Sequence, residues 1–250
     1  MDTKTLSLCA ALVCSLRLTR LAIAGTENPT TADTAIDTRN GTAPQITNVN
    51  DYQARIGEFF SPGVSVAVLP FLLPTLPTGE LFTNAELSFQ LFGMNNTGTL
   101  GNVNLYGLNA RALDTVLTTD FYAGAAPDPN GTLIQSAILT PANSVSTTHL
   151  TTSALGDASL TSFLNTQYAN GANAGKYVFL LFSYDQNPSA PGNSFYSILT
   201  SNAGGATEKP FLTFTSGLTA IPEPSSVAGS ILVGIAGLFG VLRYRRLKTA

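Results

Sequence analysis

Tryptophan is absent from these 250 residues, histidine occurs once and cysteine twice. Each scarcity removes a class of chemistry. Cys9 and Cys14 both fall within the first 24 residues, so a chain trimmed near Gly25 carries no thiol and has neither disulfides nor thiolate nucleophiles. Leu8 and Val13 precede them where a lipoprotein site needs a small residue, which argues against lipid anchoring. His149 stands alone in a threonine-rich stretch, and no G-x-S-x-G, H-E-x-x-H or G-x-G-x-x-G pattern occurs. That weighs against a histidine-based catalyst, and with the cysteines confined to the leader no metal site of His and Cys is expected. Without tryptophan, stacking on a sugar ring falls to Tyr106, Tyr122, Tyr168, Tyr184 and Tyr196. Tyr106 is expected in the core, and Tyr122 and Tyr184 are the candidate glycan contacts.

Charge is equally sparse, at 11% of residues. Lys4, Arg17 and Arg20 lie near the start and Arg243, Arg245, Arg246 and Lys248 near the end, which leaves the body Arg39, Arg55, Arg111, Lys176 and Lys209. Thirteen of the 15 acids belong to that body, so it is strongly acidic. Such a surface lacks the cationic footprint that nucleic acid requires. Low charge with 22 glycines and abundant Thr, Asn and Ser suits an extracellular β-protein.

What is present divides the chain by composition. Residues 1–24 give Lys4, an apolar run over 6–16 and Ala22-Ile23-Ala24, the sequence of a secretory signal peptide. Arg17 and Arg20 after the run leave the cut uncertain, and a short membrane anchor is the alternative. Residues 25–50 are polar, with Pro29 and Pro44 and no apolar period, and read as a flexible arm in which a strand could begin near Gln45.

From 51 to 216, short alternating apolar runs are punctuated by Gly, Pro and Asn, the pattern of an antiparallel β-sandwich of jelly-roll type. Strands are expected over 64–74, 85–93, 102–110, 132–140, 176–185, 194–201 and 210–216. In 154–171, Leu160, Phe163, Leu164 and Tyr168 recur at helical spacing, which predicts one helix over 158–169 with Asp157 as its cap and Gly171 as its stop, lying across an open end of the sandwich. Residues 115–124 are ambiguous between helical turn and strand. The stretches PFLLPTLPTGELFTNAELSFQL, NLYGL, LNTQYANGANAGKYVFLLFS and PFLTFT resemble the secreted DNRLRE-type β-sandwich domains, a resemblance that implies an extracellular scaffold or glycan-associated module and assigns no ligand.

The C-terminus is more specific. Residues 217–224 form a linker ending in Pro222, Glu223 and Pro224; 225–242 are 18 residues without a charge; and Arg243, Arg245, Arg246 and Lys248 follow in the tail 243–250. At about 1.5 Å per residue the uncharged segment spans roughly 27 Å as a transmembrane helix, near the thickness of a hydrocarbon core. The arginines hold that end in the cytoplasm, with the body outside. This order is similar to the PEP-CTERM sorting signal. The resemblance implies export across the inner membrane of a Gram-negative-type bacterium, processing at the Pro-Glu-Pro motif by a membrane-embedded exosortase, and delivery to the cell surface or an exopolysaccharide or biofilm matrix. A permanent single-pass anchor is the plainer alternative.

The expected function is therefore that of a non-enzymatic envelope or matrix protein. A glycan-binding module is the competing class and a carboxylate-dependent hydrolase a remote third, since glycosidic hydrolysis needs only two acids. No cofactor is expected, although Asp128–Gly131 (DPNG) and Asp185–Asn187 (DQN) offer oxygen ligands to Ca²⁺ and also read as ordinary turns.

Overall fold

A computed structural model describes residues 23–47, 51–58, 63–98, 100–186 and 193–218. The leader before Ile23 and the segment from 219 onward, with the linker, membrane helix and basic tail expected there, lie outside the described residues. The elements in chain order are β1 (Ile23–Glu27), β2 (Thr34–Asp37), β3 (Gln45–Thr47), β4 (Gln53–Glu58), β5 (Val64–Leu72), β6 (Glu80–Phe89), β7 (Leu91–Asn96), β8 (Val103–Arg111), β9 (Gly131–Leu139), β10 (Leu150–Thr151), α1 (Ala154–Tyr168), β11 (Tyr177–Tyr184), β12 (Ser194–Leu199) and β13 (Phe211–Leu218).

They form two antiparallel sheets with one helix. The small sheet has the order β1-β13-β6-β10 and the large one β7-β12-β4-β5-β11-β8-β9, with β2 beside β5 and β3 beside β2. Phe89 of the small sheet meets Phe182 of the large one edge to face at 4.9 Å, inside a single core that both inner faces share. Each such side chain, once fully buried, stabilises the fold by about 1.5–3 kcal/mol.

All seven expected strand segments are strands, and the apolar patterning explains their positions. VSVAVLPFL in β5 and YVFLLFSY in β11 hardly alternate because the large sheet is covered on both faces there. Leu69, Leu180 and Phe182 point into the core between the sheets. Val66, Val68, Phe179 and Leu181 pack on the outer face under Val116, Phe121 and Tyr122. The segment expected as one strand over 85–93 is two: the chain leaves the small sheet after Phe89 and enters the large one at Leu91, turning at Gln90.

The helix begins earlier than its apolar spacing indicates. Ser153, not Asp157, is the cap, its hydroxyl accepting the Gly156 N–H at 3.2 Å, while Asp157 lies in the first turn and accepts a hydrogen bond from the Thr152 hydroxyl. Ala169 closes the helix in the left-handed conformation (φ 48°), two residues before the expected Gly171. α1 packs on β6, β8 and β9, bridging the two sheets. Its polar side chains join their ladders: Asn165 accepts the Phe82 N–H and donates to the Phe82 carbonyl, each at 2.9 Å, and the Gln167 Oε1 accepts the Ala110 N–H at 2.7 Å. The approach is close enough that a Cβ on Gly107 would stand 2.5 Å from the Phe163 ring.

The flexible arm expected over 25–50 is corrected. β1 pairs with β13, with Gly25 opposite Phe214, and β2 pairs with β5 at full burial. Polar side chains hold this segment. The buried Asp33 carboxylate accepts the Ser201 N–H and, at 2.8 Å, the Ser201 hydroxyl, while Asp37 takes hydrogen bonds from Arg39 and Thr47 at 2.9 Å each. A polar composition predicted too little burial because here hydrogen bonds between specific partners accompany it. β1 also includes Ile23 and Ala24, so a cut after Ala24 would leave Gly25–Glu27 in register against β13.

Candidate functional site

The residues expected to carry sorting, Pro222, Glu223, Pro224, Arg243, Arg245, Arg246 and Lys248, lie outside the described residues. Among the described residues no helix is long and apolar enough to cross a membrane. Attention therefore falls on the body.

The tyrosine pair expected to touch glycan does not form one site. Tyr184 is fully buried on the inner face of β11, and its hydroxyl accepts the Gly101 N–H at 2.7 Å. Tyr196 of β12, also fully buried, donates to the Gly101 carbonyl at 2.8 Å, so the two phenols hold both backbone polar groups of Gly101. Burial raises both phenol pKa values; the charges of Glu58 and Asp185 add to the effect at Tyr184, and Tyr184 and Asp185 add to it at Tyr196. Tyr184 is thus a core residue and offers no platform for a sugar. Tyr122 lies on the other side of the large sheet, half-buried, edge to face with Tyr106 at 6.0 Å, and its hydroxyl donates to the Ala126 carbonyl. Tyr168, another platform candidate, is buried with its hydroxyl accepting the Leu76 N–H at 2.9 Å.

The carboxylates are spread through the fold as fasteners. Asp120 holds Arg111 through two hydrogen bonds of 3.0 and 2.8 Å, and that guanidinium lies 3.6 Å from the Phe179 ring centroid, pinning residues 112–130 over the outer face. Asp185 accepts from the backbone and side chain of Asn102 at 2.9 and 3.1 Å, and Asp128 from the Asn130 N–H at 2.8 Å. Glu80 accepts from the Ser216 hydroxyl at 2.7 Å and Glu208 from the Gly205 N–H at 3.0 Å. In the DPNG turn Asp128 therefore serves its own loop, in the DQN turn Asp185 ties its turn to Asn102, and among the described residues no three His, Cys, Asp or Glu side chains gather at one point. The His149 ring sits 5.1 Å from Phe211, its Nε2 3.2 Å from the Lys209 carbonyl.

One concave feature that combines aromatic and polar groups joins residues that the sequence did not single out. Tyr52, just before β4, and Phe92, in β7, meet edge to face at 5.6 Å and remain 47% and 44% exposed. They line a cleft of about 360 Å³ with Gln90, Ser146, Thr147 and Glu208. Its frame is the strand-switch corner. Gln90 is 6% exposed; its carbonyl accepts the Leu199 N–H at 3.1 Å and its Nε2 donates to the Ser146 carbonyl at 3.0 Å. Its Oε1 has no hydrogen-bond partner among the described residues. A buried acceptor left without a donor is costly, about 1–3 kcal/mol.

Below the cleft, the loop after β12 is anchored by Asp33 through Ser201. Burial pushes the Asp33 pKa up to about 6, against the opposing pull of the Ser201 hydrogen bonds and the Lys209 charge. A weak signal existed in the sequence for Phe92, which follows Leu87, Phe89 and Leu91 at the parity that alternation turns to the polar side, and none for Tyr52.

Compared with known proteins, the chain matches no family model and no curated protein.

Proposed function

We propose that this chain is an exported, non-catalytic cell-envelope or matrix protein, delivered across the inner membrane and sorted through its C-terminus by an exosortase-type enzyme. The observation that carries the reading is the order Pro222-Glu223-Pro224, 18 uncharged residues, then Arg243, Arg245, Arg246 and Lys248. Two prolines flanking Glu223 disfavour a continuous helix there, which on this reading keeps the glutamate within reach of an enzyme at the membrane surface. The cationic tail resists translocation and fixes the body outside. The likeness to the PEP-CTERM signal supplies the processing enzyme as partner.

The body fits the role of a displayed scaffold. The carboxylates of Asp33, Asp37, Glu80, Asp120 and Asp185 are engaged in hydrogen bonds to other parts of the fold, which supports a structural part for these acids. A chain beginning near Gly25 carries no cysteine, so the body's stability rests on burial and hydrogen bonding without disulfides.

Glu223→Ala tests the sorting. In a host with the processing enzyme, the variant accumulates as a full-length membrane-bound form, read by intact-mass spectrometry of the membrane fraction. Trimming identical to that of the unaltered chain overturns the reading.

A further inference from the structure

We propose that two copies of this chain pair through α1, antiparallel about a two-fold axis, with the exposed Leu155 of each copy seated against Leu133 in the groove between α1 and β9 of the other.

The helix has two unlike sides. Leu160, Phe163, Leu164 and Tyr168 enter the core, while Leu155, Ala158, Ser162 and Thr166 face outward over three turns, about 16 Å of helix. Between that outward side and β9 runs a groove of about 630 Å³, floored by Phe163 and walled by Thr132 and Leu133. Its two ends differ. At the N-terminal end of α1 the neighbouring β9 residue is Gln135, which accepts the Ser153 N–H at 2.8 Å, and there Leu155 stands 83% exposed. Toward the other end Phe163 lies against Gly107, whose strand partner is Thr132, so the apolar wall there is Leu133, 44% exposed. A protruding leucine at one end and a partly covered leucine at the other are what a two-fold axis brings together. Reversing the helix about the midpoint between Leu160 and Thr161 exchanges Leu155 with Thr166 and Ser159 with Ser162. The small side chains at the centre let the two helices approach closely, and each Leu155 reaches the Leu133 end of its partner's groove.

Charge selects a second copy as the occupant. The body carries thirteen acids against five bases, so most approaches between copies set like charges together. No residue lining the groove is charged, β9 has no charged residue, and the one charge on α1, Asp157, is turned to the Thr152 hydroxyl. The α1–β9 surface is therefore a place where this acidic chain can meet itself without repulsion. Three turns of helix bury less than the roughly 800 Å² per partner of a stable complex, so the pair is weak in solution, with a dissociation constant of about 0.1 mM.

The test uses the full chain in detergent, with Cys9→Ser and Cys14→Ser as background, and is independent of the C-terminal sorting. A Ser159→Cys chain mixed with a Ser162→Cys chain is joined by a short bismaleimide at least about tenfold faster than a Leu113→Cys chain mixed with the same partner, because pairing raises the local concentration of the first two thiols only. Leu155→Glu, a change at an exposed position in the first helical turn where an acid is favourable, leaves the melting temperature in place and slows that cross-link about tenfold. Leu113→Glu, the same substitution at another exposed leucine, does not. The double variant Leu155→Glu/Thr166→Lys restores the cross-link, since the new charges are too far apart to pair within one helix and meet only across the axis. A cross-link no faster than the Leu113→Cys control, as when the groove takes an extended peptide instead, overturns the proposal. So does association that survives Leu155→Glu, as pairing through the C-terminal segment would, or a loss that Thr166→Lys does not reverse.

Discussion

Two aromatic pairs at different places in the body show how one residue type is put to opposite uses. Tyr184 and Tyr196 lie fully buried, and their hydroxyls hold the N–H and carbonyl around Gly101. Tyr52 and Phe92 touch each other but leave nearly half of their surface to solvent at the mouth of a cleft. The first pair is bound into the fold at both ends of each ring, so removing it opens a cavity and strands polar groups. The second is positioned by the backbone around it and contributes little to holding that backbone in place. The phenol that looks most useful in a sequence is thus the one already occupied.

The comparison breaks most visibly at Tyr184. Tyr184→Ala deletes a buried aromatic and the partner of the Gly101 N–H, with an expected loss of about 3–5 kcal/mol in chemical denaturation. A loss below about 1 kcal/mol would put the ring at the surface and undo the contrast.

The loop beneath the cleft gives the next effect, through pH. The buried Asp33 carboxyl has its pKa pushed up to about 6 from the ordinary value of 3.8. The native state therefore holds a proton that the unfolded chain has already released. Its contribution to stability is fully present below about pH 4 and is lost as pH rises through about 6, by up to roughly 3 kcal/mol. The difference in unfolding free energy between the unaltered protein and Asp33→Asn should shift in favour of the variant across that window and be flat above it. A pH-independent difference would show that Asp33 ionises normally in its place beside Ser201.

The smallest effect sharpens the contrast from the other side. Tyr52→Ala should change stability by less than about 0.5 kcal/mol, as surface substitutions do. Thermal melts of the variant beside Tyr184→Ala decide it, and a large loss at Tyr52 would make that ring part of the core.

How much could be read in advance follows the same division. Strands such as β5 and β11 were legible because long apolar runs leave few alternatives to a doubly covered strand. The helix was found through its buried Leu160, Phe163, Leu164 and Tyr168, but its first turn was lost because Ser153 caps it from outside the apolar period. β1 and β2 were hidden by composition: Asp33, Thr34 and Asp37 look like solvated loop residues, and only their distant partners reveal them as buried. The cleft was hidden by separation. Tyr52 and Phe92 become neighbours only because β12 pairs with both β4 and β7, and no local pattern encodes that adjacency. Tyr184 was misplaced since its exposed-looking flank, Asp185 and Gln186, lies beyond the end of β11.

The carboxamide of Asn165 gives Phe82 the donor and acceptor that another strand would have brought, and Gln167 does half as much for Ala110. Any second copy brought close could otherwise extend its own sheet at an unmet peptide group. A helix whose side chains impersonate a strand blocks that recruitment at those positions.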